Sequence, residues 1–260
     1  MTTMGSYADL PKRAALVTGG SSGIGQGIAE ALLEQGARVA VQYRGNRAAA
    51  EALCLRYPGR AVAISAELGS ESGCVELARQ ARAAFPDLSI FVHSAGIWTD
   101  GPIATLDKST LEEIFHVNTF SAFYLVRELL PALRQGGHGA VVMIGSTAGQ
   151  RGEAGHSHYA ASKGALQSLV MSLAVELAPA VRVNLVSPGW VRTPMAEAAL
   201  ALIGPALLPS LPNKRVAEVA DVAAAVLYLA SAASAHLLGQ DLCVSGGALL
   251  VVPRGQLRPV

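Results

Sequence analysis

Seven short apolar runs rich in Val and Ile alternate along this chain with longer stretches of helical periodicity, and this alternation limits the possible folds more than any other feature. It is the signature of βαβ units, in which each strand reaches its parallel neighbour through a crossover helix. The runs lie near Ala14 to Thr18, Arg38 to Tyr43, Ala61 to Ser65, Leu88 to His93, Ala140 to Gly145, Arg182 to Ser187 and Asp241 to Val244. They are nearly continuous in their apolar character, which suits strands covered by helices on both faces. Helices are expected at Ile24 to Gln35, Arg47 to Arg56, Glu71 to Ala84, Ser109 to Leu133, Ser157 to Leu177 and Glu218 to Ala230. Pro131 is expected to end or kink the fourth of these, because proline cannot donate to the preceding turn and clashes with it.

The whole chain, 1–260, reads as one α/β domain with a single extensive core. Charged residues make up only 15% of it, below the roughly 25% usual in soluble proteins, so much surface is expected to be buried, in part between subunits. A net charge of +1 with no basic block gives nothing that would track a nucleic-acid backbone. Cys54, Cys74 and Cys243 are odd in number and lack metal or redox spacing, so they read as reduced thiols of a cytoplasmic protein, and no metal is expected. No secretory signal is read in the first thirteen residues. The most apolar loop, Met195 to Leu211, is interrupted by Gly204, Pro205 and Pro209 and falls short of the roughly 20 residues of a spanning helix, so no membrane partner is expected.

A glycine-rich turn, Thr18-Gly19-Gly20-Ser21-Ser22-Gly23-Ile24-Gly25, follows the first strand and opens the first helix. That is where backbone N–H groups and the helix dipole hold a pyrophosphate, as in a Rossmann-type, doubly wound seven-stranded sheet. Gly19 can make the tight turn, Gly23 can admit the phosphate, and Gly25 can let helix and sheet approach. The second strand ends Val41-Gln42-Tyr43-Arg44, without the acid that would bind the ribose hydroxyls of NAD. Arg44, with Arg47, offers a partner for a 2′-phosphate instead, so NADP(H) is preferred and NAD(H) is the alternative. The plainer reading of Arg44 is a solvated loop charge.

Tyr159 and Lys163 stand four residues apart, on one face of a helix. A tyrosine beside a fixed cation can trade its proton, though such pairs also occur in ordinary amphipathic helices. Ser146 follows an apolar strand and should sit at the carboxyl edge of the sheet, where doubly wound folds bind ligands. It reads either as a donor to a substrate oxygen or as an ordinary turn serine, with Thr147 beside it.

Taken with Ser94-Ala95-Gly96, Asn118 and Pro188-Gly189-Trp190-Val191-Arg192-Thr193, these motifs resemble the short-chain dehydrogenase/reductase family from about Arg13 to Gly247. Within it they are most similar to the 3-oxoacyl-carrier-protein reductase type and related carbonyl reductases. The resemblance implies a catalytic set of Asn118, Ser146, Tyr159 and Lys163. Tyr159 would be the proton donor in reduction and the base in oxidation, acidified by Lys163 and the oxidised cofactor. Ser146 would hold the substrate oxygen, and Asn118 would support a proton relay. Asn118 also reads as a buried amide that bends its helix. The cofactor would be held by Gly19, Ser21, Ser22, Gly23, Ile24 and Gly25, by Tyr43 and Arg44, and by Glu67 and Leu68. Ser94, Ala95 and Gly96 would continue this set, with Asn118, Tyr159, Lys163, Pro188, Gly189, Val191 and Thr193 completing it.

Three departures from the family pattern stand out. His93-Ser94 replaces the usual Asn pair or Asn-Ala, Glu67 replaces an Asp, and Ser245 replaces an Asp before Gly246-Gly247. His156 and His158 flank the approach to Tyr159 and read either as groups that bind or protonate a substrate or as exposed loop residues, the latter because no acidic or Cys partner near in sequence makes a metal site or relay; Arg151 and Glu153 share their loop and its entrance. The resemblance makes residues 194–213 a mobile lid, whose apolar side chains suit a hydrophobic ketone or acyl chain, or else pack on core or subunit. Leu166, Leu169, Val170, Leu173, Val175 and Leu177 cover more of their helix than one sheet contact needs, and relatives form tetramers, so a homotetramer is expected.

The leading expectation is therefore NADPH-dependent reduction of a ketone or 3-oxoacyl thioester. An NAD(P)+-dependent alcohol or polyol dehydrogenase is the runner-up, and a non-catalytic dinucleotide-binding regulator comes third. A carrier protein would need a basic patch, for which only Arg127, Arg134 and Arg192 offer themselves.

Overall fold

The computed structural model describes residues 7–250. Its strands are β1 (Ala14–Val17), β2 (Arg38–Tyr43), β3 (Ala61–Ser65), β4 (Leu88–His93), β5 (Gly139–Ile144), β6 (Val181–Pro188) and β7 (Asp241–Val244). They form one parallel sheet in the order β3-β2-β1-β4-β5-β6-β7. The expected doubly wound α/β architecture is thus the one observed. Successive strand residues face opposite sides, and here both sides are apolar. Leu16, Phe91, Val141 and Met143 enter one core while Val17, Val92, Val142 and Ile144 enter the other.

The helices are α1 (Gly23–Glu34), α2 (Arg47–Arg56), α3 (Glu71–Ala84), α4 (Lys108–Phe115), α5 (Ser121–Arg134), α6 (Thr147–Arg151), α7 (Ser157–Leu177), α8 (Glu197–Ser210) and α9 (Val219–Ala230). Helices α1, α2 and α9 cover one face; α3, α5 and α7 cover the other. None of the described helices is long and apolar enough to cross a membrane.

Two expectations about helices need correction. The fourth expected helix is broken not at Pro131 but at a π-helical turn, His116–Phe120, that separates α4 from α5. Helix α5 runs past Pro131 to Arg134, because Leu129, Ala132 and Leu133 are buried on its far side and packing outweighs one lost backbone bond. The segment expected to be an apolar loop forms α8, with Pro205 and Pro209 inside it. The apolar tail noted beyond Leu250 lies outside the described residues.

The chain winds outward from β1 to β3, then crosses to β4, so the topological switch point lies between β1 and β4 at the carboxyl edge. Beyond the last ladder bonds, two buried side chains hold the strand tips. The Thr18 hydroxyl accepts from the Ser94 and Ala95 amides at 3.0 and 3.1 Å. Gln42 accepts from the Gly19 amide at 2.7 Å and donates to the Ala66 carbonyl at 2.8 Å. Because a buried N–H left without a partner costs about 1–3 kcal/mol, Thr18→Val should lower stability by about that much. Urea unfolding at neutral pH checks this; a midpoint equal to wild type would show that the tips are held by other means.

Candidate active site

The tips of β1 to β6 open into one cavity of about 430 Å³. Its floor is the glycine-rich turn. Gly19 and Gly23 have φ of 66° and 50°, in the left-handed region that favours glycine, and a Cβ on Gly25 would collide with the Gly19 carbonyl. The turn therefore requires glycine at these positions. Asn46 ties it to α2: its side chain caps that helix at the Ala49 amide, 3.3 Å away, and donates to the Ser21 carbonyl at 3.3 Å.

Of the expected site residues, the cavity brings together Gly19, Ser21, Ser22, Gly23, Ile24, Gly25, Arg44, Glu67, Leu68, Ser94, Ala95 and Gly96 from the first four strand tips. Ser146, Tyr159, Lys163, Pro188, Gly189, Val191 and Thr193 complete its wall. Tyr43 and Asn118 are not among the lining residues. Tyr43 packs, half-buried, against the core under α1 and α2. Arg47 is likewise away from the cavity, paired with Glu51 at 2.6 Å. Arg44 is exposed at the rim and makes no ion pair among the described residues. The carboxylate of Glu67 accepts from the Gly69 amide at 3.1 Å.

Asn118 sits at the π-turn, fully buried. Its Oδ1 accepts from the Ile97 amide at 2.8 Å; its Nδ2 donates to the Ile97 carbonyl and to Ser162 Oγ, both at 3.0 Å. The side chain is thus occupied in clamping the loop after β4 to α7. A π-turn is a common device where a backbone must be re-aimed beside a site.

Lys163 is buried, and its Nζ donates to the Ile144 carbonyl at 2.9 Å. Burial alone pulls its pKa down to about 8. Tyr159 is pushed up to about 12, first by burial and then by the Glu153 carboxylate, against a lowering hydrogen bond with Ser146. The expected acidification of the phenol by Lys163 is therefore not found among the protein's own groups: burial opposes charge on both side chains. Ser146 also accepts from the Ala148 amide at 3.1 Å, capping α6.

His93 and Ser94, the departures at β4, are accommodated differently. The His93 ring is fully buried against Ser121 Oγ at 2.8 Å, and burial together with Lys163 drops its pKa to about 3, so it is neutral. Ser94 lines the cavity, and its hydroxyl is buried with no partner among the described residues.

Residues 19–248 match a family model described as enoyl-(acyl carrier protein) reductase. The chain belongs to the short-chain dehydrogenase/reductase family. It is 33% identical over 241 residues to the 3-oxoacyl-(acyl-carrier-protein) reductase FabG of Escherichia coli, covering 91% of this chain and 97% of that one. It is also 33% identical over 245 residues to nodulation protein G of a Rhizobium strain, covering 94% and 99%. Among solved structures it is similar to a putative NAD(P)-dependent gluconate 5-dehydrogenase of Beutenbergia cavernae with bound NADP, at TM-score 0.88 and 32% identity over 95% of this chain and 100% of that one. A glucose/ribitol-type short-chain dehydrogenase of Brucella melitensis gives TM-score 0.87 and 31% identity over 92% and 97%. As a family member the protein is an NAD(P)-dependent oxidoreductase acting on carbonyl groups.

The substrate end departs most from what the sequence suggested. His156 and His158 are not exposed. His158 is buried on Thr99 Oγ1 at 3.2 Å, and His156 stacks on Trp98 with Nε2 2.9 Å from Asp100 Oδ1. Thr99, Trp98 and Asp100 lie more than fifty residues away in sequence, while Glu153, 3.9 Å from His156 Nδ1, lies three away. Trp98, Trp190, Gln42 and Asn46 line the cavity without having been expected there, while Arg151 and Glu153 line it as their loop position suggested. Gln42 left one signal, a polar residue inside an apolar strand. The Trp residues left none beyond their neighbours.

Asn118→Ala should lower stability by about 1–3 kcal/mol, since it strips partners from the Ile97 amide and carbonyl. A melting temperature matching wild type would show that the clamp is dispensable.

Proposed function

We propose that the protein is an NADPH-dependent ketoreductase in which Ser146, Tyr159 and Lys163 act on the carbonyl and Asn118 sets the loop that faces them. The observation carrying this reading is the convergence of a neutral phenol, a buried ammonium and a serine hydroxyl on one wall of the cavity whose floor is the glycine-rich turn. The residues fit a dinucleotide: the turn excludes a Cβ at Gly25, and the buried Ser94 hydroxyl has bonding capacity to spare. Gly19 to Gly25, Leu68, Ser94 to Gly96, Lys163, Pro188, Gly189, Val191 and Thr193 would hold it, and when bound its nicotinamide supplies the hydride.

Ser146 donates to the substrate oxygen and orients it. Tyr159, whose pKa lies far above neutrality, keeps its proton until the oxygen gains charge, then delivers it. At neutral pH the phenol is protonated, the state that reduction requires; the reverse oxidation would use the same residue as the base. Lys163, charged below about pH 8, stabilises the phenolate left behind.

Arg44 supports the preference for NADPH: it is free of acidic partners among the described residues and stands at the rim beside the turn. The NADP in the Beutenbergia relative is consistent with this. Free ketones fit better than carrier-bound thioesters, because Arg127 is paired with Glu71 and Glu128, and Arg192 with Glu218, leaving little of a basic patch. Residues 194–213, including α8, form the lid in this reading. The assembly is a homotetramer, supported by Met171 and Val175 of α7 at 51% and 82% exposure and by Phe120 and Phe123 beside and on α5.

Tyr159→Phe should reduce kcat roughly 10²–10⁴-fold, the usual share of a general acid, with NADPH binding retained in a fluorescence titration. Undiminished turnover would overturn the reading. For wild type, reduction should decline as pH rises through about 8, where Lys163 loses its proton. A profile flat to pH 10 would remove Lys163 from that role. Arg44→Ala should cost roughly 10–100-fold in kcat/KM for NADPH and little for NADH, the range for a charge-assisted bond; equal losses with both coenzymes would place Arg44 elsewhere.

A further inference from the structure

Trp98 follows β4 and Trp190 follows β6, and both reach the wall of the cavity that holds Ser146 and Tyr159. Their ring centroids are 6.1 Å apart and their planes meet at 83°. Trp98 is held from behind. The His156 ring lies against it nearly parallel, at 4.5 Å and 7°, and is not itself among the cavity's lining residues. His156 is held at Nδ1 by the Ala154 carbonyl, 3.3 Å away, and its Nε2 lies 2.9 Å from Asp100 Oδ1 without making a hydrogen bond there.

The loop carrying Trp98 is further stitched to the segment before Tyr159. Thr99 Oγ1 meets His158 Nε2 at 3.2 Å, and the Gly101 amide donates to the Gly155 carbonyl at 2.9 Å. The indole thus sits on a wall tied to the same segment that positions the phenol. Ordering such a side chain in advance removes a cost that binding would otherwise carry.

We propose that Trp98 and Trp190 form a right-angled aromatic corner that selects carbonyl substrates bearing a flat ring beside the carbonyl, with His156 as the positioning residue behind Trp98; this rests on the reductase reading above. A ring laid on the face of one perpendicular indole turns its edge to the other. Offset stacking and edge-to-face contact are the two favoured aromatic geometries, and the corner offers both to one guest. A linear chain of equal carbon number gains area alone.

The test compares kcat/KM for an aryl methyl ketone and a linear ketone of equal carbon number, with NADPH, in the full-length enzyme. Wild type should favour the aryl ketone by about tenfold or more, and Trp98→Ala should reduce that ratio about tenfold, the effect of losing one favourable aromatic contact with its buried area. Trp98→Leu, which keeps apolar bulk without a ring, should do the same and serves if the alanine variant does not fold. His156→Ala should lower the ratio in the same direction, and His156→Phe, which preserves the stack, should restore it. A wild-type ratio near one, or a ratio indifferent to both Trp98 variants, overturns the corner. A His156→Phe enzyme as poor as His156→Ala overturns the positioning role. If wild type reduces neither ketone nor any other carbonyl, the reductase reading itself fails and takes the corner with it.

Discussion

A parallel sheet ends in a row of backbone groups that the ladder no longer satisfies, and the architecture of this protein depends on how they are met. Some are taken by buried side chains: Thr18 on Ser94 and Ala95, Gln42 between Gly19 and Ala66, Asn118 on both polar groups of Ile97. Each of these bonds joins the tip of one element to the loop of another. Together they fix the loop conformations at the switch point without filling the space above it. Leaving such groups unmet would cost more than the bonds contribute when made, so the clamps act mainly by forbidding other arrangements.

The same burial that makes the clamps rigid sets the chemistry. Lys163 reaches the site through the core side of α7 and meets only a carbonyl, so its ammonium is held at the cost of a lowered pKa. Tyr159 is driven the other way, and Glu153 adds to the push. In the proposed reduction the phenol is protonated at rest and gives up its proton as charge develops on the substrate oxygen. The neutral His93 beneath them contributes no competing charge.

Most of the sheet was legible because its central strands are buried on both faces and so read as unbroken Val, Ile and Leu runs; the observed ends differ from the expected ones by a residue or so. The glycine turn was legible for a similar reason, since left-handed φ and steric exclusion leave few choices of residue. The π-turn at Asn118 was not, because apolar periodicity continues smoothly through it and its cause is a tertiary bond to Ile97 and Ser162. Helix α8 was hidden by two prolines that normally argue for a loop. The burial of His156 leaves no trace in its own neighbourhood, because Asp100 and Trp98 arrive from the loop after β4. The role of Gln42 is equally hidden, since the Gly19 amide and Ala66 carbonyl that it bonds come from the tips of β1 and β3.

These successes and failures divide along a physical line. The cofactor end is built from backbone geometry at strand tips, where a handful of residue types satisfy the constraint and a short motif records it. The substrate end is built from side chains on separate loops, Trp98, Arg151, Glu153, Trp190 and Met195, whose proximity follows only from the completed fold. A motif can therefore reveal the reaction while leaving the molecule acted on undetermined. In this protein the loop after β4 is bonded to the strand tips through Ser94 and Ala95 and to the segment at the start of α7 through Thr99 and Gly101. The wall carrying Trp98 is therefore joined at Ile97 to the Asn118 clamp, which also reaches Ser162 beside Lys163.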